Sequence, residues 1–148
     1  MKRFRFSLEK VLELRQFNEQ EAKNELGRVI SVLNAIENNI KHNALLHGQA
    51  VTERFAGISD GGEAGVFSML AWDNYVLRLE QEAERLMEEA VQAELVVEEK
   101  RTIFLEASRE LKVMEKLKEK RKMEYRKEML AAETRELDDM WREKTAAN

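Results

Sequence analysis

Trp72, Val76, Leu79, Ala83, Leu86, Ala90, Ala93, Val97, Lys100, Phe104, Ala107, Leu111 and Met114 alternate in spacings of four and three residues. Twelve of these thirteen positions are apolar, Lys100 being the exception. A repeat of 3.5 residues held over so many turns describes the narrow seam of a coiled coil rather than the broad face of a globular helix. The first half of the chain carries a shorter version: Ala22, Leu26, Val29, Leu33, Ile36 and Ile40 follow the same rule. Nothing interrupts either run, because the chain contains no proline and is rich in strong helix formers. The alternation expected of strands is not visible, so the sequence predicts an all-α fold.

The breaker lies between the two repeats. Five of the six glycines fall between Gly48 and Gly65, four of them in "AGISDGGEAG", residues 56–65. This divides the chain into a helix over 4–55, a turn over 56–65, a helix over 66–143 and a frayed tail over 144–148, all within a single coiled-coil domain. Gly27 lies inside the first helical pattern and should cost it about 1 kcal/mol relative to alanine. A short glycine-rich connection makes an antiparallel hairpin the simplest arrangement. With its centre near Asp60 and Gly61, Leu8 faces Met114, and the first helix and the regular seam of the second end together. The second helix then overhangs its partner from about Lys118 to Glu143, roughly 39 Å at 1.5 Å per residue.

The overhang includes "EKLKEKRKMEYRKEM", residues 115–129, with seven basic and four acidic residues. "KRFR", residues 2–5, adds a second basic cluster, and the hairpin brings both to one end. The net charge of −4 therefore hides a basic tip on an acidic body. Glu115–Lys118, Glu119–Lys122 and Glu124–Lys127 could support a solvated helix, whereas Lys116–Lys120, Lys118–Lys122 and Lys122–Arg126 repel at one-turn spacing. An acidic docking partner would relieve that repulsion. Phe4, Phe6, Leu8, Val11 and Leu12 form an apolar start that either caps the hairpin or meets the same partner. Trp72, Tyr75, Leu79 and Leu86 follow the turn. Trp72, Leu79 and Leu86 are seam positions, and Tyr75 lies off the seam, where an aromatic residue can anchor an interface.

Catalytic and ligand-binding signatures are lacking. His42 and His47 have no carboxylate pattern around them, and no phosphate loop, nucleophile elbow or paired-histidine metal motif occurs. With no cysteine, disulfides and thiolate chemistry are excluded. The reading is of no enzyme, no metal, no cofactor and no small-molecule ligand. The opening "MKRFRFSLEK" lacks an apolar secretory core, and "GVFSMLAW" is too short to span a bilayer, so a cytoplasmic protein is expected. A nucleic-acid-binding hairpin that uses the basic tip on phosphates stays open as an alternative, although the net charge opposes it. So does a purely structural coiled coil.

The opening "FRFSLEKVLELRQFNEQEAKNEL" and the closing "MEKLKEKRKMEYRKEMLAAETRELDDM", with the helix, glycine-rich turn and longer helix between them, resemble the FliJ family of the bacterial flagellar type III export apparatus. The resemblance implies an antiparallel coiled coil similar to the stalk of rotary ATPases. It further implies binding to the hexameric export ATPase (FliI-like), to the export-gate protein (FlhA-like) at the inner membrane, and to substrate-chaperones. Residues assigned to the ATPase on this basis are Phe4, Phe6, Leu8, Lys118, Arg121, Lys122, Tyr125 and Arg126. Gate-binding residues would be Trp72, Tyr75, Leu79 and Leu86, with Glu82 departing from the family's stripe. The counterpart in a virulence-type secretion system would have the same architecture.

Overall fold

The structure is a computed structural model that describes residues 3–58 and 62–147. Lys2, the expected hairpin centre at Asp60 and Gly61, and the terminal Asn148 lie outside the described residues. Two helices, α1 (Glu9–Ile58, 50 residues) and α2 (Gly62–Ala146, 85 residues), pack against each other as an antiparallel hairpin. No strand occurs among the described residues. The breaker is narrower than the glycine cluster suggests. Each glycine costs a helix only about 1 kcal/mol, and most of the cluster stays helical. Among the described residues Gly62 alone has a positive φ, 82°, where a side chain would be strained. At the other end the helix continues to Ala146 rather than stopping at Glu143.

The chain divides into two compact units. The first in sequence order of its core is Lys23–Ile103. In it the α1 repeat runs on from Ile40 through Asn43, His47, Ala50, Arg54 and Gly57, all buried or half-buried. Facing them, Trp72, Val76, Leu79, Ala83, Leu86, Ala90, Ala93, Val97 and Lys100 are buried or half-buried as the repeat predicts. Ala50, Leu79, Leu86 and Val97 form the apolar core, with Asn43 the one buried polar residue of the described set. His47 Nε2 meets Glu80 Oε1 at 3.2 Å, and Arg54 Nε lies 2.6 Å from Asp73 Oδ1. The expected register would have placed His47 opposite Asn74. The pairing is displaced because the first turn of α2 precedes its contact with α1: Gly57 meets Ser68, where an added Cβ would come within 3.2 Å of Oγ.

The second unit joins Met1–Ala22 to Phe104–Asn148. Arg15 Nη1 donates to Glu110 Oε2 at 2.6 Å, and Lys118 Nζ lies 3.0 Å from Glu9 Oε2. Leu12 and Ala22 are buried. The first helix starts at Glu9 rather than residue 4, and Arg3–Phe6 is non-helical. The Glu9 N–H donates to the Phe6 carbonyl at 3.2 Å, which turns the segment into α1. Non-helical chain advances up to about 3.3 Å per residue against 1.5 Å in a helix, so this short segment reaches far along α2. The Phe4 and Tyr125 ring centroids are 5.6 Å apart.

The overhang is corrected accordingly. Lys118 belongs to the paired region, Tyr125 and Met129 are half-buried, and every described residue from Leu130 onward is exposed. The unpartnered part of α2, Leu130–Ala146, is about 25 Å long, not 39 Å.

Candidate functional site

The Phe4–Tyr125 contact brings the two basic clusters to the same level of the second unit, as the sequence reading expected. Arg3 and Arg5 flank Phe4 and are exposed; Arg121, Lys122 and Arg126 flank Tyr125 and are exposed too. Like charges so close repel one another, and a polyanionic or acidic partner would remove that cost. Four residues expected at the tip need a different account. Phe6 is only 9% exposed, because the turn into Glu9 points it into the hairpin, so its surface is spent on folding. Lys118 is tied to Glu9 rather than offered outward. Phe4 and Tyr125 are half-buried, their rings tilted against each other. Leu8 is exposed.

The second set follows the turn and belongs to the other unit. Trp72 and Tyr75 are half-buried, with ring centroids 5.9 Å apart in an edge arrangement. Leu79 and Leu86 are buried in the seam, so neither offers a side chain to a partner while the hairpin is closed. Exposed neighbours on α2 are Phe67, Leu70 and Leu77. Glu82 is engaged by Arg85, whose guanidinium also reaches Glu89. The hydrogen bond from Arg85 lowers the pKa of the Glu82 carboxyl, against an opposing effect of desolvation. An open apolar groove in the same unit is lined by Val32, Ile36, Met87, Val91 and Val96.

The sequence reading missed a third surface. Met123, Leu130, Leu137 and Trp141 are exposed at spacings of seven, seven and four along α2, with Met140 beside them. The spacing was available in the sequence. It lies off the register of the seam, in which this stretch is mostly polar.

Among the described residues no cluster of His, Asp or Glu is arranged to hold a metal ion, and no helix is long and apolar enough to cross a membrane. A family profile described as "Flagellar FliJ protein" matches residues 4–145. No curated protein and no solved structure matches the chain.

Proposed function

Because the chain belongs to the flagellar FliJ family, a family of flagellar export-associated adaptor proteins, we propose that it binds and promotes the export ATPase ring through its basic end. The observation that carries this reading is the Phe4–Tyr125 contact, which gathers Arg3, Arg5, Arg121, Lys122 and Arg126 around one end of the hairpin. A cluster of exposed cations on a stiff helix speeds encounter with an acidic ring and fixes orientation more than it adds raw affinity. In this reading Arg121, Lys122, Arg126 and Leu8 meet the ATPase directly. Phe4, Phe6, Lys118 and Tyr125 hold the two basic clusters together.

The link to the export gate rests on Tyr75 and Trp72, whose paired rings are half open to solvent after the turn. Leu79 and Leu86 support that surface from inside the seam. Binding of substrate-chaperones and peripheral association with the export apparatus at the inner membrane complete the proposed role. No step in it requires bond-making chemistry by this chain.

The test is ATP turnover and hexamer formation by the cognate export ATPase, with and without the protein. Stimulation by the wild-type protein that Arg121→Glu/Lys122→Glu loses supports the proposal. No stimulation by a wild-type protein of normal helicity overturns it.

A further inference from the structure

The exposed stripe Met123, Leu130, Leu137 and Trp141 lies about 120° around α2 from Lys118, which meets Glu9 of α1, and Tyr125, which meets Phe4. It is a second heptad seam, and its four residues stay exposed among the described residues. The charges beside it reverse sign along the helix. Residues 116–127 hold seven basic and two acidic side chains, and residues 128–143 hold six acidic and two basic ones. Such a segment is complementary to itself only when two copies run antiparallel. We infer that residues 117–143 of α2 form the interface of an isologous dimer, in which the stripes of two copies pair about a twofold axis near Leu130.

Several features argue for a second copy over any other occupant. With Leu130 on the axis, Met123 of each copy faces Leu137 of the other, so the stripe is covered from Met123 to Leu137. On one flank Lys120 lies opposite Asp138 of the second copy, and on the other Arg126 lies opposite Glu133. All four residues are exposed, and none of them takes part in an ion pair among the described residues. A parallel pairing would set basic against basic and acidic against acidic. The overlap of residues 117–143 is about 40 Å long, which suits an interface of roughly 1,200–2,000 Å². The α1 side of each copy is turned away from the contact, so the hairpin does not block it.

Arg126 serves this interface and the proposed ATPase contact alike, so the dimer and the ATPase-bound form compete for it. The test uses this chain alone and does not depend on any ATPase. Sedimentation equilibrium of the full chain is expected to show a monomer–dimer equilibrium. Lys120→Glu/Arg126→Glu and Glu133→Lys/Asp138→Lys should each weaken self-association about tenfold or more, by the loss of both flanking charge pairs. Mixed together, these two variants should form a heterodimer, since each new charge meets its opposite in the partner copy. Met123→Ser/Leu130→Ser should leave a monomer with unchanged helical circular dichroism. A wild-type chain that stays monomeric to about 0.2 mM overturns the inference. So does a dimer that survives the Met123→Ser/Leu130→Ser change, or variants that do not recombine on mixing.

Discussion

Around Leu86 and around Leu130 the second helix has much the same composition, yet the two stretches depend on different things. Leu86 is 4% exposed and sits in the seam; Leu130 is 63% exposed and follows Met129, the last half-buried residue of α2. In the first stretch the helix is held by burial, since isolated helices gain little from propensity alone. In the second it continues on propensity and on its covalent extension from the paired part. Apolar residues are not absent from the second stretch; they have moved to another face. Helix content therefore says nothing about which stretch carries the stability. The face on which the apolar heptad lies decides it.

The strongest way to break this comparison is a pair of truncations. Leu86→Ala should lower stability by about 2–3 kcal/mol, the lower part of the range for buried leucines because a two-helix seam relaxes easily. Leu130→Ala in dilute solution, where the chain is monomeric, should change it by less than about 0.5 kcal/mol. Urea midpoints followed by helical circular dichroism would show both, and equal losses would mean that the overhang is packed after all.

Glycines sharpen the same point at smaller scale. Gly62→Ala should cost about 1 kcal/mol, because Gly62 has a left-handed backbone that a side chain disfavours. Gly27→Ala should instead stabilise by roughly 0.5–1 kcal/mol, since a Cβ there meets nothing within 4 Å and the residue is helical. Thermal melts of the two variants should move in opposite directions.

Charge changes come next in size. Glu9→Gln removes the partner of Lys118 and should cost about 0.5 kcal/mol, the usual worth of a pair this exposed, with the difference shrinking in high salt. Glu82 gives the smallest effect, read through pH. Its folded carboxyl is held low by Arg85, so its stabilisation is present at neutral pH and is lost as pH falls through that lowered value. Wild type and Glu82→Gln should therefore differ slightly in melting temperature at pH 7 and converge in acid.

Much of the architecture was legible in the residues. Absent proline and the 4, 3 repeat from Trp72 to Met114 require helices that bury one stripe, and the glycine cluster supplies the reversal. Every position of that repeat is buried or half-buried in the structure. The basic clusters could be expected to meet, because an antiparallel hairpin returns the second helix past the first residue of the chain. The family match over residues 4–145 agrees with the resemblance seen in the opening and closing stretches.

Register, exposure and the length of the overhang were decided only in three dimensions. A heptad repeats every seven residues, so it specifies a face but not how far two helices slide along each other. That offset depends on where α2 begins within the glycines and on how the chain enters α1. Arg3–Phe6 could continue a helix by propensity; it turns aside because Phe6 finds burial against the hairpin and Phe4 finds Tyr125. The same tertiary choices buried Phe6 and tied Lys118 to Glu9, whereas the burial of Leu79 and Leu86 already followed from the repeat. Periodicity determined which residues could pack, and the shared geometry of two helices determined which of them did.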